Sequence, residues 1–79
     1  MDLVKLTEYL IKNLVKDTDN VSVTMSDGNE KIIDVIVSES DMPTVIGRGG
    51  KVANSIRNIV QASAYVNDLG RVRINISAK

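Results

Sequence analysis

The sequence predicts an α+β domain in which three helices cover one face of a three-stranded mixed sheet, in the chain order αββααβ. The first and the longest helical segments carry apolar residues at spacings of three and four, which is typical of amphipathic helices. Three shorter segments alternate apolar and polar residues or are rich in valine and isoleucine, which is typical of strands. The third of these follows a helical segment, so we expect it to pair in parallel with an earlier strand.

The first helix is expected over residues 2–16. Its leucines recur at spacings of three and four from Leu3 to Leu14, while lysines and a glutamate occupy the opposite side. The sequence Asp-Thr-Asp-Asn follows at 17–20, and these residues favour turns. We therefore expect the helix to end just before them.

Two strands should follow as a hairpin around the turn at Asp27–Gly28. Residues 21–25 alternate polar and apolar side chains, which predicts a strand with one buried face. We expect that face to consist of Val21, Val23 and Met25. Residues 31–38 contain a longer apolar run that only Asp34 interrupts, so this strand should be more buried and lie at the centre of the sheet.

A short helix is expected over Met42–Ile46. Asp41 precedes it as the candidate N-cap, and Pro43 suits its first turn because proline lacks only an N–H that has no partner there. Gly47 should end this helix.

A longer helix should start near Gly50 and run to about Tyr65, and a last strand should cover Arg71–Ser77. In that strand valine and isoleucine alternate with polar residues, which predicts one buried face. The predicted buried stripe of the helix consists of Val52, Ile56, Ile59 and Val60, with Ser63 at its margin.

The composition excludes several classes of function. At 79 residues and 8.6 kDa, we expect one domain over residues 1–79. Cysteine and histidine are both absent, which excludes disulfides, thiolate metal sites and the commonest general base. We therefore expect no enzyme, no cofactor and no metal. No apolar run approaches the ~20 residues of a membrane span, and no signal peptide is evident, so we expect a cytoplasmic protein that is not associated with a membrane.

The net charge of zero hides an asymmetry along the chain. Residues 1–44 carry four lysines and nine acids, a balance of −5, whereas residues 45–79 carry six basic residues and one acid, a balance of +5. Phosphate binding depends on local positive charge more than on the total. The balance therefore argues against indiscriminate polyanion binding and allows a confined basic site in the second half.

The basic half begins with a glycine-rich loop between the two predicted helices. Gly47 and Gly50 are spaced as Gly-x-x-Gly, with Arg48 and Gly49 between them and Lys51 directly after. Glycines let the backbone turn sharply and let a ligand approach closely, because they have no Cβ. The free N–H groups at the start of the following helix add to the charge of Arg48 and Lys51, and this combination favours a phosphate.

The glycine-rich loop also has interpretations other than the binding of an RNA phosphate. The two glycines also suit a tight connection between helices that has no ligand. A Walker loop would need glycine at Val45 and serine or threonine at Val52, and a dinucleotide fingerprint would need glycine or alanine at Val52 after a strand. A nucleoside triphosphate or dinucleotide site is therefore not predicted.

The loop and the element order resemble a type II KH domain, and the whole chain resembles the small bacterial single-KH-domain RNA-binding proteins of the KhpA-like family. The resemblance runs from Asp2 to Ser77. The segments that carry it are Leu3–Val15, Ile33–Ser38, Asp41–Met42, Ile46–Lys51, and Arg57 with Ala62.

The resemblance implies that single-stranded RNA lies in a groove beside the loop. The loop would grip the sugar-phosphate backbone of about four nucleotides, and the unpaired bases would face an apolar floor made by the adjacent helices and a strand. It also implies a role in post-transcriptional regulation or as an RNA chaperone. Family members associate with themselves as a homodimer or pair with a larger KH-containing protein, and the resemblance extends this expectation to the present chain.

The predicted RNA-binding residues are Ile46, Gly47, Arg48, Gly49, Gly50, Lys51, Val52 and Arg57. Ile46 and Val52 supply apolar surface beside the loop in this interpretation, with either Val35 or Ile36 on the neighbouring strand, although ordinary core packing explains each of them as well. Arg57 follows Lys51 by six positions on the same helix, where it serves either as a solvated surface residue or as a contact to the RNA backbone.

Two alternative functions remain open at this point. A dimerising protein-interaction module is supported by the low overall basicity and by Ile32 and Ile36, which would lie on the open sheet face if the intervening residues are buried. Single-stranded DNA is the other alternative ligand, since contacts to a 2′-hydroxyl cannot be identified in a sequence.

Overall fold

Three strands form the sheet, and the computed structural model describes residues 2–79. The strands are β1 (Ser22–Asp27), β2 (Lys31–Val37) and β3 (Val72–Ala78). Their order across the sheet is β1-β2-β3, with β1 antiparallel and β3 parallel to the central strand. The mixed sheet with a central second strand, and the parallel return after the helical crossover, are confirmed.

Three helices pack on one face of this sheet. They are α1 (Leu3–Lys12), α2 (Met42–Ile46) and α3 (Lys51–Val66), and short 3-10 turns cover Thr18–Asn20, Glu39–Asp41 and Arg48–Gly50. The core between helices and sheet is aliphatic, with Ile33, Val35 and Val37 of β2 completely buried. The α+β fold class and the order αββααβ are therefore confirmed. None of the helices within residues 2–79 combines the length and the hydrophobicity that a bilayer crossing requires.

Helix α1 is shorter than predicted, because the chain turns after Lys12. The Asn13 side chain donates to the carbonyl of Tyr9 at 2.7 Å, and the N–H of Leu14 bonds the carbonyl of Ile11 at 2.9 Å, which tightens the last turn. This turn carries Val15 into the core and leaves Leu14 exposed. The leucine spacing alone could not reveal it.

The predicted buried face of β1 is only partly correct. Val21 and Val23 are half-buried, but the Met25 side chain is 41% exposed. β1 is an edge strand, and its last four residues, Thr24–Asp27, are all exposed.

The buried stripe of α3 also differs from the prediction. It consists of Ala53, Ile56, Val60 and Ala64. Val52 is only half-buried and Ile59 is 46% exposed, so two of the predicted residues do not belong to it. The alanines allow α3 to approach its neighbours closely, whereas a pattern based on large aliphatic residues favours Val52 and Ile59.

Asp41 does not cap α2, contrary to the prediction. Its side chain forms no hydrogen bond to that helix and is almost fully buried, at 4% exposure. The backbone N–H groups of Lys16 and Asp17 each donate to its carboxylate at 3.1 Å, and the hydroxyl of Ser38 donates at 3.0 Å. Asp41 thus joins the segment after α1 to the segment after β2.

The bond from the Lys16 N–H is the main cause that holds the pKa of Asp41 below its ordinary value, with help from Asp17 and Ser38 and against the effect of burial. Because the folded-state pKa lies below the unfolded-state pKa, this carboxylate stabilises the fold above about pH 4, and the stabilisation is lost as the pH falls through the folded-state value.

We expect the variant Asp41→Asn to unfold at a lower urea concentration than the wild type near neutral pH. The amide replaces one acceptor oxygen by a donor, which then faces a backbone N–H. The wild type should lose stability more steeply than the variant on acidification below about pH 4. Urea denaturation followed by circular dichroism at a series of pH values measures both effects, and parallel pH profiles of the two proteins would contradict this role.

Candidate nucleic-acid interface

The glycine loop connects α2 and α3 through three residues with positive φ. Gly47 has φ 76° and ψ 173°, a combination that side-chain-bearing residues essentially never adopt. Gly49 (φ 64°, ψ 19°) and Gly50 (φ 79°, ψ 11°) lie in the left-handed helical region. The N–H of Gly50 bonds the carbonyl of Gly47 at 3.2 Å, which closes the loop as a single tight turn.

The glycines of this loop have different reasons to be glycine. A Cβ on Gly47 would clash with Val52 Cγ2 and lie 2.9 Å from the Val52 backbone nitrogen. Because glycine has no Cβ, the first turn of α3 can pack directly on the backbone of Gly47. A Cβ on Gly49 would meet nothing within 4 Å. The tight connection between helices thus explains Gly47, while Gly49 leaves an open backbone surface that a ligand can approach.

Positive charge converges on this open surface. No side chain caps the N-terminus of the 16-residue α3, so the positive end of its helix dipole lies at the loop without a side-chain acceptor. The side chains of Arg48 and Lys51 are exposed on either side of Gly49. The two ion pairs recorded within residues 2–79, Lys12–Glu8 and Arg73–Glu30, involve neither of them. The loop therefore brings the positive end of a helix and two exposed cations together.

The apolar flank of the loop consists of Ile46 and Val52, both half-buried. The strand residues considered beside them do not lie there. Val35 is completely buried in the core, and Ile36 lies on the face of the sheet opposite to the helices. The expectation that either of them faces a ligand beside the loop is therefore wrong, because β2 is the central strand and the helices cover one of its faces completely.

The strand that lies beside α3 is β3, and Arg57 bridges the two. Its Nε donates to the carbonyl of Ile74 at 3.3 Å, and its Nη1 donates to Asn54 Oδ1 at 3.3 Å. Arg57 is half-buried in this position. It is thus neither a simple solvated arginine nor part of the loop, but a side chain fixed along the free edge of β3.

Gln61, one turn further along α3, makes a second bridge that the sequence analysis missed. Its amide donates to the carbonyl of Gly70 and accepts from the N–H of Val72, both at 2.9 Å. Its spacing of four from Arg57 places both side chains on one face of α3, which was the available signal.

A shallow groove runs between α3 and β3 and is rich in arginine. We call it the α3/β3 groove. Its lining consists of Arg57, Asn58, Gln61, Arg71, Val72, Arg73 and Ile74. Three guanidinium groups and no acidic residue line it, so it extends the positive charge of the second half of the chain along the same helix that begins at the loop.

The family model described as KhpA/KhpB, KH domain, matches residues 4–76. The chain belongs to this KH-domain family. It is 36% identical over 62 residues to the RNA-binding protein KhpA of Borreliella burgdorferi, covering 77% of the present chain and 76% of that protein. It is 37% identical over 73 residues to the RNA-binding protein KhpA of Clostridium acetobutylicum, covering 91% and 96%. The resemblance stated from the sequence, including the type II KH fold, is confirmed.

Solved structures of the protein Era share the fold. The chain superimposes with a TM-score of 0.68 and 16% identity on Aquifex aeolicus Era bound to GDP·AlF4⁻. The corresponding values are 0.67 and 19% for Era in complex with MgGDPNP and nucleotides 1506–1542 of 16S ribosomal RNA. In both cases 98% of the present chain is covered but only 30% of the Era chain, so the likeness concerns the fold of one part of Era.

Proposed function

We propose that the chain is a non-enzymatic protein that binds single-stranded RNA in the cytoplasm through the loop Gly47–Gly50. The observation that carries this proposal is the open backbone of Gly49 at the uncapped start of α3, between two exposed cations. Membership of the KhpA/KhpB family supports RNA as the ligand, because curated relatives are named RNA-binding proteins.

The roles of the individual residues follow from their surroundings. Phosphate oxygens approach the backbone at Gly49, where no Cβ intervenes, and Arg48 and Lys51 add charge from both sides. Ile46 and Val52 offer half-buried apolar surface to a base. Arg57 acts from the α3/β3 groove, where its guanidinium is positioned by Ile74 and Asn54.

A protein with one small clamp should bind RNA weakly and with little salt dependence. With about two phosphates neutralised, the slope of log K against log salt concentration should be about −1.4, from about 0.7 per phosphate on a single strand. Fluorescence anisotropy with a short unstructured RNA at increasing salt concentration measures this slope. The matching DNA, titrated in parallel, tests whether a 2′-hydroxyl contributes. A slope steeper than about −4 would indicate an extended basic surface rather than a clamp.

Weak binding by one clamp suits a role in which several clamps act together. Two loops on one assembly raise the effective affinity without any new contact. We therefore extend the proposal to post-transcriptional regulation or RNA-chaperone activity by a homodimer or by a pair with a larger KH-containing protein.

A second candidate function, a dimerising interaction module, is favoured by one observation. Ile32 and Ile36 lie on the open face of the sheet and are only half-buried, while Ile33, Val35 and Val37, which point to the other face, form the core. If the wild-type protein self-associates but binds no RNA at low salt, this function is favoured over the first.

A further inference from the structure

Two side chains of α3 occupy backbone groups along the outer edge of β3. Gln61 binds the carbonyl of Gly70 and the N–H of Val72, both at 2.9 Å, and Nε of Arg57 donates to the carbonyl of Ile74 at 3.3 Å. The N–H and C=O of one strand residue point to the same side, so Val72 and Ile74 both direct their backbone groups away from β2. Within residues 2–79, Val72 therefore keeps an unoccupied outward C=O, and Ile74 keeps an unoccupied outward N–H.

The position beside Ile74 consequently offers donors to a ligand. The Ile74 carbonyl already accepts from Arg57, and the nearby Oδ1 of Asn54 accepts from Nη1 of Arg57 at 3.3 Å. A guanidinium has five N–H groups, and these two bonds leave three of them for a ligand. The N–H of Ile74 lies beside them. A group that docks at this position has to supply acceptors.

Arg57 is the arginine of the α3/β3 groove whose side chain the fold holds in place. It is half-buried, whereas Arg71 is exposed, and the side chain of Arg73 is 62% exposed and lies 3.8 Å from Glu30. Both hydrogen-bond partners of Arg57 are uncharged, so they leave its positive charge available to a ligand. A planar guanidinium that hydrogen bonds hold in one orientation can distinguish ligands by their geometry.

The distance from the glycine loop to Arg57 suits one nucleotide. Arg57 follows Lys51 by six residues on α3, which corresponds to about 9 Å along the helix axis. This distance is comparable to the length of a nucleotide from its phosphate to the far edge of its base. A nucleotide whose phosphate is held at the loop can therefore place the edge of its base beside Arg57 and Ile74.

Purine bases differ in the acceptors that they offer to such a position. Guanine has the acceptors O6 and N7 side by side, and the bidentate contact of arginine with this pair is the commonest specific contact of proteins with bases. Adenine has N7 beside an amino group, whose N–H groups would face those of Arg57. Bases in single-stranded RNA expose this edge to a protein. The arrangement of donors therefore favours guanine over adenine.

We propose that Arg57 selects guanine at the position beside Ile74, so that the chain prefers single-stranded RNA that contains guanine. This inference rests on the proposed function, because it assigns a base to the same site. It gives Arg57 a role in specificity, separate from the affinity that Arg48 and Lys51 provide at the loop. Arg57 achieves it by occupying the Ile74 carbonyl, which would otherwise accept from an amino group of a base.

Uridine hexamers with one central purine test this selectivity. The wild type should bind the hexamer with guanine at least about fivefold more tightly than the hexamer with adenine. A third hexamer with 7-deazaguanine, in which a C–H group replaces N7, should lose most of this preference. Fluorescence anisotropy measures the three values of Kd. Equal affinity for guanine and adenine, or an undiminished preference with 7-deazaguanine, would overturn the proposal.

The variant Arg57→Lys keeps the charge but loses the planar fork. Its ratio of the adenine Kd to the guanine Kd should fall below about two, compared with at least about five in the wild type. The matched control is Arg71→Lys, which changes an exposed arginine of the same groove and should keep the wild-type ratio. Circular dichroism verifies that both variants are folded.

The outcomes separate this inference from the proposed function. An unchanged ratio in Arg57→Lys, or an equal loss of the ratio in Arg71→Lys, would overturn the role of Arg57 while leaving RNA binding at the loop intact. A wild-type protein that binds none of the hexamers at low salt would overturn both.

Discussion

A chain with the two substitutions Arg48→Asp and Gly49→Asp should remain folded and lose its affinity for single-stranded RNA. The first substitution replaces one of the two loop cations by an anion, and the second places a carboxylate on the open backbone that the phosphate would approach. We expect Kd to rise at least about 30-fold, which corresponds to about 2 kcal/mol. Fluorescence anisotropy with the RNA used for the wild type measures the loss.

The fold should tolerate these substitutions because of the local backbone. Gly49 has φ 64° and ψ 19°, near the left-handed helical region that aspartate enters more readily than most residues. A Cβ there meets no atom within 4 Å. The stability lost should therefore be about 1 kcal/mol, which circular dichroism and thermal denaturation can confirm.

A control with the same change in net charge separates a local effect from a general electrostatic one. The variant Lys5→Asp with Gly28→Asp also changes the charge by −3, but both positions lie away from the loop, and a Cβ at Gly28 meets nothing within 4 Å. It should bind RNA within a factor of about three of the wild type, because screening weakens distant charges. Equal losses in both double variants would argue against a clamp at Gly47–Gly50.

The variant Gly47→Ala should cause the largest loss of stability among single substitutions in the loop. Its Cβ would clash with Val52 Cγ2 and lie 2.9 Å from the Val52 nitrogen, and φ 76° with ψ 173° is unfavourable for alanine even without neighbours. We expect a destabilisation of about 3 kcal/mol or more, a large share of the roughly 5–10 kcal/mol of a domain this small. The midpoint of thermal unfolding should fall by more than about 12 °C.

Two further variants attribute this loss to the contact with Val52. Gly28→Ala, without positive φ and without neighbours within 4 Å, should leave the melting temperature nearly unchanged. Gly47→Ala combined with Val52→Ala should recover only part of the loss, because the backbone nitrogen and Cβ of residue 52 remain 2.9 Å from the added methyl group. A melting temperature of Gly47→Ala within a few degrees of the wild type would show that α2 and α3 can separate at the loop.

The sequence predicted most of the fold because its local signals agree with one another. Proline near the start and glycine directly after the end defined α2 at Met42–Ile46, as the structure has it. The isoleucine- and valine-rich run of β2 identified the central strand, and the helix before β3 identified the parallel pairing. These features depend on residues close together in the chain, so a pattern can reveal them.

The errors concern residues whose surroundings come from distant parts of the chain. Asp41 has the residue type of an N-cap, but its hydrogen-bond donors are at Lys16 and Asp17, more than twenty residues earlier. Ile59 has the spacing of a buried residue, yet alanines allow α3 to pack on a different stripe. Both outcomes depend on tertiary packing, which overrides local preference.

The candidate site shows the same division. The glycines, Arg48 and Lys51 could be placed from the sequence because they are contiguous. The strand that lies beside α3 could not be predicted, since only the folded sheet brings the outer edge of β3 beside Arg57 and Gln61. Their roles as bridges to a strand seventeen and eleven residues away appear only in three dimensions.

The contact between Gly47 and Val52 also limits how much of the chain must become ordered when a ligand binds. This contact fixes the first residue of the loop against α3, and the hydrogen bonds of Arg57 and Gln61 fix α3 to the segment that contains β3. Conformational freedom is therefore restricted to about three residues between them, each of which loses roughly 1–2 kcal/mol of backbone entropy on immobilisation. In the proposed clamp, two fixed ends and a short loop would keep the entropic penalty of binding a ligand small.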